Sequence, residues 1–317
     1  MANEPPTIDH FIGQDQVKQR FRVALEAAWN DGARLPHMLM VGPAGCGKTT
    51  LAHLAAREMA ANIHERIGQN VMWPGALNGL LAEAEDKDIV FLDEVHEMGT
   101  MCQTLLYKAM EERKLFVDGP GPGDKTLALP TNDFCLIAAT TDEYALLPPL
   151  RDRFKVILPF TFYSASDLAG ITMQHAQMMG TRVDSTVASA IAARSRGIPR
   201  HAIRLLEACH RFARSKGDEQ ITPAHFEETV TMDGIDSLGL GPDEQRYLKL
   251  LADHQGQPVR LFTVEAALGV HQRTIQMVIE PFMIRAGLIE RAQQGRQITV
   301  LGLRHLGLVD EAESSIA

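Results

Sequence analysis

Little in the 317-residue chain points to a membrane, an oxidising compartment or a fibrous assembly. No uncharged apolar run approaches the about 20 residues that a bilayer-spanning helix needs. The start, Met1-Ala2-Asn3-Glu4-Pro5-Pro6, lacks the basic and apolar segments of a secretion signal, so the expected location is the cytosol. Four cysteines, Cys46, Cys102, Cys135 and Cys209, show neither paired metal-ligand spacing nor the density of a disulfide scaffold. They read as isolated reduced thiols. A basic excess is also missing: the net charge of −9 argues against indiscriminate coating of nucleic acid, while a local basic patch stays open. There is no internal repeat, and no low-complexity segment beyond the termini.

What is present is an ordinary globular composition, 45% hydrophobic and 22% charged, in a chain long enough for two or three domains. From Leu35 to about Phe160, short apolar runs alternate with helix-like segments, the pattern of an α/β parallel sheet covered by helices. His37 to Val41, Ile89 to Leu92 and Phe134 to Ala139 read as buried strands, and Thr49 to Ala61 as a helix. Leu115-Phe116-Val117 and Thr126 to Leu129 flank a Gly/Pro-rich turn, which predicts a projecting hairpin. After Phe160 the strands stop. Residues 161–236 read as an all-α lid, with Asp184 and Thr222 as helix caps.

A Gly-rich join, Asp236 to Pro242, leads into residues 237–317. Helices over Asp243 to His254, Thr263 to Leu268 and Gln272 to Arg285 precede two strand-like runs, Leu288 to Arg291 and Gln297 to Val300, around Gln293-Gln294-Gly295. That order is a winged helix-turn-helix. Between Val259 and His305 six arginines face three glutamates, a local net of +3, with Arg291 and Arg296 flanking the wing turn as candidate DNA-phosphate contacts. Winged helices also serve as protein-docking modules.

The chemistry concentrates at Gly42-Pro43-Ala44-Gly45-Cys46-Gly47-Lys48-Thr49, which fits G-x-x-x-x-G-K-[ST] between a predicted strand and a predicted helix. Glycines let backbone N–H groups wrap phosphates at a helix N-terminus. Lys48 is placed to reach the β- and γ-phosphates of ATP, and the Thr49 hydroxyl to ligate Mg²⁺. Ile89 to Glu94 is a buried strand ending in two carboxylates: Asp93 for the Mg²⁺ shell, Glu94 as general base toward the attacking water. Thr140 and Thr141 end the next strand, and Thr141 is read as a sensor of the terminal phosphate. Arg153 and Arg200 are candidates to neutralise charge on the transferred phosphoryl, in cis or from a neighbouring subunit.

Gly42 to Thr49, Asp93-Glu94, Thr140-Thr141, Leu150 to Phe154 and Gly197 to Arg200, in this order, resemble the AAA+ ATPases, and Phe11-Ile12-Gly13-Gln14, Leu92-Asp93-Glu94-Val95-His96, Pro149 to Phe154, Ser195 to Arg200 and, in the last domain, Glu280-Pro281-Phe282 and Gly287 to Arg291 narrow the likeness among them. Within them the chain is similar to the family of RuvB-type motors that drive branch migration of Holliday junctions, from about Ile8 to Gly307. The resemblance implies a phosphate-binding first domain, residues 1–160, in which Gly42, Gly45, Cys46, Gly47, Lys48, Thr49 and Thr50 bind nucleotide. Asp93 and Glu94 become the second nucleotide motif, Thr141 the first sensor, Arg200 the second, and Arg153 a trans-acting arginine finger. It further implies a hexameric ring on duplex DNA or a four-way junction, with a RuvA-type partner docked through the 115–129 hairpin. Two other readings of the residues stay open: a clamp-loader or initiator ATPase, and a nucleotide-switched DNA-binding scaffold.

Overall fold

The computed structural model of the chain describes residues 5–117 and 127–309. Contacts divide it into two compact units, residues 1–180 with 197–204 and residues 181–196 with 205–317. In chain order the first unit contains α1 (Asp15–Asn30), β1 (Met38–Val41), α2 (Lys48–Glu58), β2 (Ile63–Ile67), α3 (Pro74–Glu83), β3 (Ile89–Asp93) and α4 (Thr100–Glu112). Then come β4 (Lys114–Val117), β5 (Leu127–Pro130), β6 (Cys135–Thr140), α5 (Pro148–Arg151), β7 (Val156–Pro159) and α6 (Ala165–Met178).

Five of these strands form one parallel sheet in the order β2-β3-β6-β1-β7. Its centre is apolar on both faces, as a sheet covered on both sides requires. Leu39, Leu92, Leu136 and Ala138 join a core with Leu77 and Leu80 of α3 and Leu106 of α4. Met38 and Met40 alternate to the other face and are equally buried. Burying each such side chain contributes about 1.5–3 kcal/mol relative to exposure. The three strands expected from the sequence are β1, β3 and β6. The other two lie at the sheet edges. Ile63-His64-Glu65-Arg66-Ile67 is broken by three polar residues and half exposed, while Val156-Ile157-Leu158 is apolar but short and ends in Pro159, a residue confined to sheet edges.

The expected hairpin is present as antiparallel β4 and β5, with Leu115 opposite Leu129. Its turn, residues 118–126, lies outside the described residues.

The second unit runs through β8 (Arg182–Val183), α7 (Ser185–Arg194), α8 (Pro199–Lys216) after its first turns, β9 (Gln220–Ile221) and α9 (Pro223–Met232). Strands do not stop entirely after Phe160, since β8 and β9 form a two-residue parallel pair. Both expected caps are made: Asp184 accepts from the Thr186 N–H at 2.7 Å and Thr222 from the His225 N–H at 3.4 Å.

Next come α10 (Pro242–Asp253), α11 (Leu261–Leu268), α12 (Gln272–Thr274), a π-helical stretch Ile275–Ile279, α13 (Glu280–Arg285), β10 (Ile289–Ala292), β11 (Gly295–Ile298) and α14 (Val300–His305). Tyr247, Leu251, Val264, Ile275, Met283 and Ile298 share its core. The wing is β10 and β11, antiparallel, with Arg291 opposite Arg296. One expectation is corrected here: Thr299-Val300 do not extend the second wing strand. The Thr299 hydroxyl accepts from the Gly302 N–H at 3.1 Å and caps α14, a local hydrogen bond that outcompetes strand pairing.

Candidate active site

The phosphate loop joins the end of β1 to the start of α2. Gly42 is indispensable there: its φ is +147°, and a Cβ would stand 2.3 Å from the Phe160 carbonyl oxygen. Gly47, with φ of +95°, begins the helix and leaves its first N–H groups facing the loop. Lys48 is 5% exposed, and its Nζ donates to the carbonyls of Gly42 (2.8 Å) and Pro43 (3.0 Å). Burial lowers its pKa, opposed by the facing carboxylates of Glu94 and Asp93. An ammonium held by two neutral carbonyls in this setting favours exchange for anionic oxygen.

Strand pairing brings the carboxylates and threonines together. β3 and β6 are neighbours, with Leu92 opposite Ala138, so the residues just beyond each strand end side by side. The Thr49 hydroxyl lies 3.5 Å from Asp93 Oδ2. Both the Thr141 N–H (3.2 Å) and its hydroxyl (3.1 Å) donate to Glu94 Oε2. Glu94 itself adopts a left-handed conformation, φ +47°, which a non-glycine residue holds only when its surroundings dictate it. Thr140 is fully buried; its hydroxyl lies 2.9 Å from His96 Nδ1 and donates to the Asp142 carbonyl at 3.0 Å. The structure therefore turns Thr141 toward the Glu94 carboxylate and spends Thr140 inside the fold.

Arg200, on the first turn of α8, reaches the same loop. Its backbone N–H points at the Gly45 carbonyl at 3.4 Å, and its Cβ would be 2.9 Å from a Cβ on Gly45. Three residues given no role by the sequence, although Phe11 and His96 lie in strings that carry the family resemblance, complete the cradle. The Tyr163 hydroxyl donates to the Cys46 carbonyl at 3.1 Å, and the Phe11 ring packs 3.0 Å from the position of a Gly47 Cβ. His96 Nδ1 lies 3.4 Å from Glu94 Oε2. Tyr163 and Phe11 come from distant segments, and the only local signal would be apolar residues flanking the motifs. Cys46 is buried like the other three cysteines, and none forms a disulfide.

A nucleotide-binding loop, two carboxylates on the adjoining strand and a hydroxyl on the next one have known counterparts. Residues 4–160 match the family described as "Holliday junction DNA helicase RuvB P-loop domain", residues 163–236 the "RuvB AAA lid domain", and residues 237–307 the "RuvB C-terminal winged helix domain". The chain is 38% identical over 305 residues to the Holliday junction branch migration complex subunit RuvB of Fervidobacterium nodosum, covering 96% of this chain and 88% of that one. With the protein of the same name from Kosmotoga olearia the identity is 37%, over 96% of this chain and 90% of the relative. The chain belongs to the RuvB family. The solved Thermotoga maritima RuvB Holliday junction branch migration motor superposes with a TM-score of 0.84 at 34% identity, over 98% of this chain and all of that one.

As a RuvB-family P-loop unit, the chain carries the AAA+ nucleotide-binding fold. Arg153 does not turn to the phosphate loop of its own chain. It follows α5, is 38% exposed, and binds Glu111 at 2.7 Å through a terminal nitrogen and 3.2 Å through Nε. An exposed pair of this kind is worth at most about 1 kcal/mol and opens readily.

In the RuvB winged helix domain the two wing arginines converge on one carboxylate. Glu280 is fully buried, and it accepts from Arg296 Nε (2.8 Å), an Arg291 terminal nitrogen (2.8 Å) and the Tyr247 hydroxyl (2.9 Å). Burial pushes the Glu280 carboxyl up, but hydrogen bonds from Arg296, Arg291 and Tyr247 outweigh it and the net displacement is downward. The side chain of Arg296 is only 14% exposed, that of Arg291 52%. Arg296 therefore anchors the wing from within, and Arg291 is the wing arginine that presents surface to solvent.

Proposed function

We propose that the chain is an ATP-hydrolysing motor that acts on Holliday junctions, and that Glu94 held against Thr141 beside Lys48 is the resting form of its hydrolytic site. The observation that carries this is the double contact of Thr141 with Glu94 Oε2, at 3.1 and 3.2 Å. A γ-phosphate oxygen is a stronger acceptor for the Thr141 hydroxyl than a shared carboxylate oxygen. Arrival of ATP therefore draws Thr141 away and frees Glu94 to orient water. Glu94 takes a proton from that water, its oxygen bonds to the γ-phosphorus, and the bond to the ADP oxygen breaks. Lys48 exchanges the Gly42 and Pro43 carbonyls for phosphate oxygens, and Arg200 approaches from the side of Gly45.

Thr49 and Asp93 suit a magnesium ion: their two oxygens are hard donors 3.5 Å apart, and Mg²⁺ takes few protein ligands, filling its shell with phosphate and water. Among the described residues no cluster of three His, Cys, Asp or Glu side chains offers an all-protein cage. The ion supplies charge neutralisation for the phosphates.

Arg153, paired only with an exposed glutamate, fits a finger offered to a neighbouring copy in a ring, assigned by family likeness as a hexamer. The curated relatives are named as subunits of a branch migration complex, which supports four-way junction DNA as the substrate and a RuvA-type protein as partner. Leu127 and Leu129, 58% and 47% exposed on β5, give the hairpin an apolar face for such a partner. DNA phosphates are assigned to the wing through Arg291, with Arg296 holding its shape.

The test is Glu94→Gln. It keeps the fold and ATP binding, and steady-state ATPase on a synthetic four-way junction is expected to fall at least about a hundredfold. Turnover at the parental rate would remove Glu94 from the mechanism.

A further inference from the structure

A second cavity lies on the opposite edge of the sheet from the phosphate loop. It encloses 870 Å³, within the range of small-molecule sites. Its walls are the segments that enter β1, β6 and β7, together with α1. Because β1 is 4 residues long, the cavity stands on the order of 15 Å from the phosphate loop. Four cations line it, Arg20, Arg34, Arg113 and Lys155, against two carboxylates, Asp31 and Asp133. Asp133 is shared: Arg34 Nε binds it at 2.6 Å and Arg113 at 3.1 Å. Val23, Ala27, Val156 and Ile157 give one side an apolar wall.

His37 makes this more than a positive hollow. The residue is 7% exposed, and its Nδ1 accepts from the backbone N–H of Leu136 at 2.9 Å. A backbone amide can only donate, so Nδ1 carries no proton and the neutral ring must carry it on Nε2. Burial, followed by Arg34, with Lys155 and Arg113 adding to it and Asp133 opposing, holds the imidazole pKa down to about 3, which keeps the ring neutral. Yet Nε2 faces a terminal nitrogen of Arg34 at 3.4 Å. Two donors point at each other, and no other contact supplies Nε2 with an acceptor among the described residues. A buried N–H left so is a cost of about 1–3 kcal/mol that an acceptor would relieve.

We propose that this cavity is a binding site for a small oxyanion carried on an apolar body, whose phosphate or carboxylate oxygens accept from His37 Nε2–H and Arg34, with Arg113 and Lys155 supplying further positive charge. The apolar part lies along Val156, Ile157 and the α1 alanines. The site is independent of ATP hydrolysis, and its failure would leave the motor reading untouched.

The experiment uses the full chain with its phosphate loop saturated by ADP and magnesium, and reads binding at His37, so that phosphate taken up beside ADP does not enter the signal. Long-range ¹H–¹⁵N spectra of the histidine rings are recorded, with His37 assigned by its absence in His37→Gln. The free protein is expected to show the Nε2–H tautomer at His37. Inorganic phosphate and phenyl phosphate are each expected to move the Nε2 and Hε2 resonances saturably, phenyl phosphate at about tenfold lower concentration because its ring buries apolar area. Arg113 and Lys155 are exposed, so Arg113→Ala/Lys155→Ala keeps the fold, and it is expected to weaken both ligands at least about tenfold at low salt. An Nδ1–H tautomer, no saturable shift, or unchanged affinity in the double variant overturns the site. Equal affinity for the two probes overturns its apolar half.

Discussion

Replacing Glu280 by Gln tests what holds the wing. The carboxylate is fully buried, its partner Arg296 is 14% exposed, and the Arg296 Nε bond is 2.8 Å long. Glutamine keeps the shape and one acceptor but puts an NH₂ group where a carboxylate oxygen accepted; the Arg296 and Arg291 guanidinium groups can only donate, and of the three partners only the Tyr247 hydroxyl can turn to accept from it. Arg291, half exposed, can turn to water, so its loss contributes little. Arg296 cannot, and leaving one member of a buried pair unmatched costs about 3–5 kcal/mol. Taking the lower figure, because some water reaches Arg296, the opening equilibrium of the winged helix should rise about 150-fold. Native-state hydrogen exchange measures this at the Leu248 and Leu251 amides of α10 and at the Arg296 amide, which bonds the Val259 carbonyl at 2.8 Å. Protection of Leu136 in the parallel sheet should not change. Removing the buried members of the network, in Glu280→Met/Arg296→Met/Tyr247→Phe, should recover most of the loss, since the remaining Arg291 is half exposed and no buried charge is stranded. The effect also has a pH signature. The Glu280 pKa is depressed below 4.5 in the folded state, so its contribution is complete above 4.5 and is lost as pH falls through the folded value. That acid-side decline should be absent in Glu280→Gln. A loss of protection under fivefold, or an unchanged acid limb, would refute the account of Glu280 as the anchor.

Gly42→Ala should abolish ATP binding, measured by fluorescent-nucleotide titration, because a methyl group 2.3 Å from the Phe160 carbonyl forces the loop apart; retained affinity would mean the loop relaxes elsewhere. Arg153→Ala and Lys48→Ala should each lack ATPase alone and regain part of it when mixed, since each supplies the group the other has lost; mixtures that stay inactive count against a shared interface. His96→Ala should lower kcat about tenfold with KM little changed, because His96 bears on Glu94 and Thr140 rather than on nucleotide, and an equal rise in KM would place it elsewhere.

Why some of this was legible in the sequence and some not follows from distance along the chain. Gly42 to Thr49 is a local device: its glycines, lysine and following helix sit within one turn, so spacing alone carries the geometry. Asp93 and Glu94 were readable because a buried strand ends where its carboxylates begin. The sequence put Thr141 near the terminal phosphate as a sensor; that it stands beside Glu94 depends on β3 and β6 being neighbours, which only the structure supplies. Phe11 lies in a string that carries the family likeness but nothing local assigns it a place, and Tyr163 lies in no such string. Tyr163 bonds a carbonyl 117 positions away, and nothing in Phe162-Tyr163-Ser164 marks it as a wall of the phosphate loop. The edge strands β2 and β7 have different signals: β2 sets three polar residues between its two isoleucines, and β7 is three apolar residues closed by Pro159, which the sequence pattern alone does not mark as a sheet strand.

The winged helix shows how a correct count can rest on wrong positions. Six arginines against three glutamates give +3 between Val259 and His305, and Arg291 and Arg296, flanking the wing turn, are the candidate phosphate contacts. In the fold Glu280 and Arg296 both withdraw, one of each sign, so the surface keeps its +3 while one of the two candidate contacts becomes internal. Charge sums survive folding whenever a buried cation takes its partner with it. Residue roles do not, because burial is decided by what packs around the pair, here Tyr247 from α10 and a glutamate that opens α13 directly after the π-helical turn. Between Val259 and His305 the exposed arginines are Arg260, Arg273, Arg285 and Arg291, spread over three helix ends and one strand, so the phosphate contact proposed for this domain would use a wider face than the wing tip.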